Sequence, residues 1–476
     1  MVKGRSSQFG SVVKSISLAA CVVVMASCKG GDSSSCSLDS EQWSSGCFRD
    51  AETFRNQCNV LDENNFLRSW NNDTYLWYNE VTDRDPSLYS DPLDYVDLLV
   101  TDARTPSGNR KDRFHFAVDT AEWNAQSQSG ISAGYGATFE FISTRPPREV
   151  VVAYVEPGSP ADGVLMRGTR ILSVDGEDLE SSNNVDVLNA GLSPEVGETH
   201  FFGVSHPGSG LTIIEELTAE QITATPVQNV GTVETNGGTV GYIQFNDHNA
   251  ISEDFLIAAI DELVEDNVTD RVLDLRYNSG GFLYIASQMS YMIAGAANTT
   301  GETFELNVFN DKHPTVTPVT GDRLTPTPFY NVSTRGEPLP SLSLNRVVIL
   351  AGETTCSASE SIINGLRGID VEVILIGDTT CGKPYGFYGE DNCGYTYFTI
   401  QFQGENDKGF GDFADGFSPE NTNDTLGVSV PGCAVEDDFS RGLGDPQEAV
   451  FAAALQYLED GTCPTPPAAA VGVNRT

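Results

Sequence analysis

The chain has 476 residues, 39% of them hydrophobic and 9% aromatic, which is enough for two or three domains with their own cores and unlike a disordered protein. Its formal net charge of −40 excludes nucleic acid as a natural partner, because affinity for a polyanion comes from clustered Lys and Arg. An acidic surface of this kind favours solubility, and in a salty medium the self-repulsion is screened.

In chain order, Lys3, Arg5 and Lys14 precede the apolar run "SISLAACVVVMAS", which ends on small residues before Cys28. A basic start, a short apolar run and a small-residue end form a signal peptide over 1–27, too short to span a bilayer. "VMASC" resembles a bacterial lipobox, with Met25 where leucine is usual. That implies lipidation of Cys28, a flexible tether over 28–35, and an exported envelope lipoprotein facing the periplasm or cell exterior. Its membrane partner would then be the bilayer that holds the lipid. Beyond Cys21 and Cys28 eight cysteines remain, an even number that in an oxidising compartment predicts disulfides, with 105 possible pairings. No C-x-x-C occurs and the histidines are scattered, so no metal site is expected.

Residues 36–127 read as an N-terminal helical domain, with Phe66, Trp70, Tyr75 and Trp77 as clustered core aromatics. Over 128–227, short β-branched strands alternate with the turns "PGSP" and "VDGED". This segment resembles a PDZ domain of the kind found in bacterial proteases, in its "VEPGSPA" and "GTRILSVDG", with Thr169 in place of the usual aspartate. The resemblance implies capture of an extended peptide as an added strand, with the terminal carboxylate held at Gly134, Tyr135, Gly136 and Ala137.

From 228 to 463 the texture is strand, helix, strand, helix, strand: "GTVGYIQF", an amphipathic "ISEDFLIAAIDELVED" with Leu256, Ile260 and Leu263 on one face, "RVLDLRY", "NRVVILAG", "SASESIINGLRG" and "VEVILIG". Such alternation predicts an α/β core with a mostly parallel sheet, so that the chain is multidomain α/β, closed by a tail over 464–476. Sites in such cores lie beyond the carboxyl ends of the strands. Three polar loops follow strands directly: "YNSGG", "ETTCSASE" and "DTTCGKP".

The last of these matches the phosphate-loop pattern G-x-x-x-x-G-K through Gly377, Gly382 and Lys383. Pro384, however, stands where that loop needs Ser or Thr for Mg²⁺, and no helix pattern follows to face a phosphate. A nucleotide partner is therefore not expected. The three loops instead supply the parts of acyl transfer. Ser357, or Ser359, places a hydroxyl at a helix N-terminus, where developing negative charge is favoured. No histidine lies in the loops, so Lys383 is left as the base. It must then be neutral, which requires a pKa depressed from about 10.4 to near 7, about 4 kcal/mol, by burial beside Cys381, Pro384, Tyr385 and Phe387. Backbone N–H groups of Gly280, Gly281 and Ala358 would receive the oxyanion. This chemistry calls for no cofactor.

"LDLRYNSGG", "CSASESI" and "GDTTCGKP" are similar to three motifs of the C-terminal processing (tail-specific) protease family, near "LDLRxNxGG", "SASASEI" and "GxxTxGKG". The resemblance extends from Gly130 to about Leu458 and implies a serine–lysine dyad, with Ser357 as nucleophile, Lys383 as general base, and oxyanion donors at the Gly280–Gly281 turn and Ala358. It implies a serine endopeptidase acting on peptide bonds of exported or envelope proteins. Two departures stand out: Phe387 occupies the place of a glutamine that orients the lysine in the family, and Cys356 directly precedes the nucleophile. The alternative is a catalytically inactive binding or scaffold lipoprotein on the same fold. His248, after a strand, and His115 are the candidates if a histidine assists the serine. The carboxylates of "ENDKGFGDFADGF" lack the ligand spacing of a calcium loop.

Overall fold

The computed structural model describes residues 43–422 and 426–464. The signal segment, Cys28, the tether and nearly all of the tail lie outside the described residues. Among the described residues no helix is long and apolar enough to cross a membrane.

The N-terminal region is built on the helix Val60–Thr74, capped by the Asn59 side chain, and its Phe66, Leu67 and Trp70 pack against Tyr95, Val96, Leu99 and Tyr397. Alongside its helices, the region also contributes the strand Phe116–Asp119. That strand pairs antiparallel with Tyr395–Phe398, a strand nearly three hundred residues further on, and a Cys58–Cys393 disulfide fixes the same junction. The helix Thr120–Ser129 then leads, through a left-handed Gly130, into an antiparallel sheet whose edge strand is Ala137–Ser143. The helix Val185–Leu192 packs on this sheet, over a core of Phe139, Val150, Val152, Ile171, Phe202 and Val204.

The remainder is the α/β core. In chain order it comprises β1 (Val227–Thr235), β2 (Gly238–Phe245), α1 (Ser252–Glu265), β3 (Asp270–Asp274), α2 (Leu283–Thr299), β4 (Arg346–Ala351), α3 (Ala358–Gly368), β5 (Glu372–Gly377), β6 (Gly432–Ala434) and α4 (Ala449–Asp460). The sheet order is β1-β2-β3-β4-β5-β6. β1 and β2 are antiparallel and every later pair is parallel, so the sheet is mixed, with its parallel part where the candidate loops emerge.

Strand alternation sorts the side chains onto two buried faces. Ile243, Leu273, Val347, Ile349, Val373 and Leu375 face α1, α2 and α3, whereas Tyr242, Val272, Val348, Leu350, Ile374 and Ile376 face Val450 and Phe451 of α4. Helices on both faces leave the carboxyl edge of β3, β4 and β5 as the one place where consecutive loops meet.

Just past β3, the fully enclosed Arg276 bridges Asp274 (2.7 Å), Asp437 (2.6 Å) and Glu448 (3.0 Å), and Tyr242 donates to the same Asp274 (2.6 Å). From the neighbouring antiparallel domain, Arg167 reaches across to the Tyr277 hydroxyl and the Asp437 carboxylate, both at 2.6 Å. Removing one partner of a buried ion network leaves the others uncompensated. Arg276→Ala should therefore cost about 3–5 kcal/mol in urea unfolding, far more than an exposed arginine such as Arg335, whose pairing with Asp254 lies at the surface.

Candidate active site

The three loops predicted from the sequence converge at the carboxyl ends of the adjacent strands β3, β4 and β5. Ser357 ends the loop after β4 and directly precedes α3. Its backbone has φ 56° and ψ −117°, a region that non-glycine residues avoid at a cost of about 1–3 kcal/mol. It is a strained strand-to-helix turn, and the strain is held by bonds on every side. The Ser357 amide donates to Glu360 (3.1 Å), and Ser359, read from the sequence as the alternative nucleophile, is buried with its hydroxyl donated to the Asn278 carbonyl (3.0 Å). Ser357 keeps part of its surface open to solvent.

Glu360, which sequence reasoning passed over, organises the site. It is fully buried, and one carboxylate oxygen accepts both the Ser357 amide (3.1 Å) and the Lys383 amide (2.8 Å). The other oxygen accepts the Gly382 amide (2.8 Å) and the Thr380 hydroxyl (2.5 Å). Burial raises its pKa, and these donors oppose the rise. The signal was present in the sequence: Ser357-Ala-Ser-Glu360 has capping-box spacing, in which the glutamate reaches back to the N-cap amide.

A Cys356–Cys381 disulfide joins the same two loops, one residue before Ser357 and two before Lys383, with Cα atoms 5.2 Å apart. The sulfurs and a Glu360 oxygen lie within 4.8 Å of one another, but the sulfurs are bonded to each other rather than free to hold a cation.

Lys383 enters the site beneath aromatic rings. Its amine lies 4.1 Å from the Phe387 ring centroid and 5.1 Å from that of Phe114, a residue of the N-terminal region. Burial lowers its pKa to about 8, against the opposing pull of the Asp112 and Glu360 carboxylates. Asp112 is itself buried, accepting the Tyr75 hydroxyl (2.8 Å) and the Phe114 amide (2.9 Å), and Arg113 donates to the Cys381 carbonyl. Nothing within the three loops pointed to these N-terminal residues.

The "YNSGG" turn lies directly against the serine. A Cβ on Gly280 would fall 2.8 Å from Ser357 Cβ and 2.9 Å from the Ala358 nitrogen, so only glycine allows this approach. The Gly280 amide, however, donates to Asn278 Oδ1 (3.0 Å). The Gly281 and Ala358 amides have no protein acceptor among the described residues, and Gly281 is exposed. Asn278 is the other missed residue. Its side chain also binds the Phe245 carbonyl (3.0 Å) and His248 Nδ1 (2.9 Å), and its carbonyl takes the Cys356 amide (3.2 Å). His248 is buried behind this asparagine, with burial pushing its pKa down to about 3, and His115 is packed with Tyr75. Neither histidine is shown in contact with Ser357.

In the antiparallel domain, Gly134, Tyr135, Gly136 and Ala137 connect the strand Ile131–Gly134 to the edge strand Ala137–Ser143. Tyr135 is buried, its hydroxyl on the Gly191 carbonyl (3.1 Å), and Gly136 lies so close to Ser159 that a Cβ would be 2.2 Å from it. The structure thus keeps the four residues together at the junction of two strands.

Among known proteins, the chain is similar to peptidases. The family model described as Peptidase family S41 matches residues 239–386, a span that holds Gly280, Gly281, Ser357, Ala358 and Lys383. The chain is 27% identical over 259 residues to a carboxyl-terminal-processing protease of Picosynechococcus sp., covering 54% of this chain and 56% of that protein. It is 30% identical over 157 residues to the chloroplastic carboxyl-terminal-processing peptidase 2 of Arabidopsis thaliana, covering 32% of this chain and 29% of that one. The chain thus spans little more than half the length of the first of these relatives and less of the second. A solved structure from Bacteroides fragilis, of a protein proposed to be an S41 protease, superposes with a TM-score of 0.60 over 83% of this chain and 97% of that chain, at 21% identity, and so shares its fold. The homologues of the α/β core are peptidases.

Two measurements test the geometry. Glycine tolerates the Ser357 backbone, so Ser357→Gly should raise stability by about 1 kcal/mol in urea unfolding, where a serine with ordinary dihedrals would lose stability on the same change. Replacing both Cys356 and Cys381 by alanine opens a 25-residue crosslink and should cost about 3 kcal/mol.

Proposed function

We propose that this protein is a serine endopeptidase in which Ser357 is the nucleophile and Lys383 the general base. The observation that carries the reading is the convergence of the Ser357 and Lys383 amides on one buried oxygen of Glu360, with a disulfide across the same two loops. The peptidase relatives of residues 239–386 support it.

In this reading the neutral Lys383 amine takes the Ser357 hydroxyl proton as the oxygen attacks a peptide carbonyl. The tetrahedral oxyanion forms at the start of α3, where the Ala358 and Gly281 amides are without protein acceptors, and the helix dipole favours it. Gly280 contributes by its lack of a side chain, while its own amide stays with Asn278. The Lys383 ammonium then protonates the leaving amine, and a water deacylates the serine by the same route in reverse. With a pKa of about 8, roughly one lysine in ten is the amine at pH 7, a usable fraction that a solvated lysine would not offer.

Two further parts of the reading concern substrate and place. The edge strand Ala137–Ser143, with the loop Gly134–Ala137 at its start, suits addition of an extended peptide strand, and the domain carrying it resembles PDZ modules. Capture of a substrate C-terminus there would present the preceding chain to Ser357. The exported envelope location and lipidation at Cys28 rest on the N-terminal sequence and on the disulfides.

Cleavage of a casein-like unfolded substrate, followed by intact mass of the products, tests the proposal. Ser357→Ala and Lys383→Ala should each lower turnover at least a thousandfold while the fold persists, and wild-type turnover in either variant would remove the dyad. In the wild type, kcat/KM should rise about tenfold per pH unit below pH 8 and level off above it, because deprotonation creates the active base. A profile flat from pH 6 to 9 would contradict Lys383 as that base.

A further inference from the structure

Among the described residues, no hydrogen-bond acceptor takes the Lys383 amine; its neighbours are two ring faces. Phe387 lies 4.1 Å from the amine on the loop that carries the lysine, and Phe114 lies 5.1 Å away on the N-terminal region. Both rings are themselves held. Phe387 packs on Phe116 (5.9 Å, near perpendicular) and Phe398 (5.0 Å), and Phe116 stacks on Phe398 (4.5 Å) through the strand pairing of 116–119 with 395–398. The Phe114 backbone N–H donates a hydrogen bond to the Asp112 carboxylate, which accepts a second from the Tyr75 hydroxyl.

We propose that Phe114 and Phe387 are positioning residues for the reaction, an aromatic clamp in which two ring faces hold the Lys383 amine toward Ser357 in place of a hydrogen-bonding side chain. The proposal rests on the serine–lysine reading above and adds to it a role for the N-terminal region in catalysis.

The physics of a ring face has two opposed parts. Its quadrupole attracts an ammonium within about 6 Å of the centroid and prefers it over the amine. Its apolar body excludes water, which disfavours the ammonium. The other charges facing the amine are Asp112 from the N-terminal segment and Glu360 from α3, both favouring the ammonium. Arg113 sits beside them on the Cys381 carbonyl, and Asp412 and Asp415 lie beyond Tyr385.

The two parts can be separated by substitution. Leucine keeps the apolar body and loses the quadrupole, so Phe114→Leu or Phe387→Leu should move the acidic limb of kcat/KM to lower pH by about half a unit. Alanine loses both and admits water, so Phe114→Ala or Phe387→Ala should move the limb to higher pH. Each change should lower kcat about tenfold or more with little change in KM, since substrate contacts are untouched, and tyrosine at either position should restore most of the rate. Thermal unfolding of each variant checks that the fold persists. Leucine variants with wild-type kcat and an unmoved limb would overturn the clamp, as would leucine and alanine moving the limb in the same direction. If Ser357→Ala itself retained turnover, the dyad would fall and the clamp with it. Failure of the clamp alone leaves Ser357→Ala inactive and only the phenylalanine variants unaffected.

Discussion

Everything at the carboxyl edge of the sheet depends on one buried carboxylate. Among the described residues no charged side chain is hydrogen-bonded to Glu360, and an isolated carboxylate in such a place would take up a proton. It is held instead by three backbone N–H groups and a threonine hydroxyl, drawn from two loops that belong to different strands. Charge-assisted bonds of this kind are short and directional, and each fixes a backbone rather than a side chain. The outcome is a site in which the backbones at Ser357 and Lys383 are placed by main-chain geometry. The strain at Ser357 persists because these bonds and the neighbouring disulfide over-determine the turn.

The Gly280–Gly281 turn follows the same logic at one remove. Asn278 turns a flexible glycine pair into a fixed surface by bonding the Gly280 amide with its side chain and Cys356 and Ser359 with its carbonyl. Behind it the Arg276 network ties the end of β3 to Asp437 and Glu448, and Arg167 extends that network into the antiparallel domain through Tyr277, the residue just before Asn278. A single guanidinium therefore connects the domain that carries the edge strand Ala137–Ser143 with the turn that faces Ser357.

Much of the core was legible because its signals are local. β-branched runs alternating with an amphipathic helix specify parallel strands with helices between them, and Leu256, Ile260 and Leu263 lie buried on α1 as their spacing required. The three loops could be read as one edge for the same reason. Tertiary partners were not legible. Cys356 had seven possible mates, and nothing in the spacing selected Cys381. Phe114 and Asp112 lie some 270 residues before Lys383 and carry no mark of it. Phe387 read as a missing glutamine, because a sequence motif names the residue that usually does a job and is silent about a substitute. Asn278 and Glu360 fall between these cases: Asx-turn and capping-box spacings mark both, but such spacings occur at many turns with no chemistry nearby. The N-terminal strand 116–119 was hidden because its partner strand, 395–398, lies almost three hundred residues further on.

That partnership has a consequence for the order in which the protein comes into being. Cys58 and Cys393 are separated by 335 residues, and the strand 116–119 waits for 395–398. A chain that emerges N-terminus first holds Asp112 and Phe114 ready from the start, yet has no serine, no lysine and no opposing strand to set them against. The pocket around the lysine closes only after the whole antiparallel domain and most of the α/β core have been threaded out. Contacts of such long range form late, since the entropy of closing the loop is lost before any contact compensates it. The surroundings of Lys383 are therefore complete only in a molecule whose two ends have met.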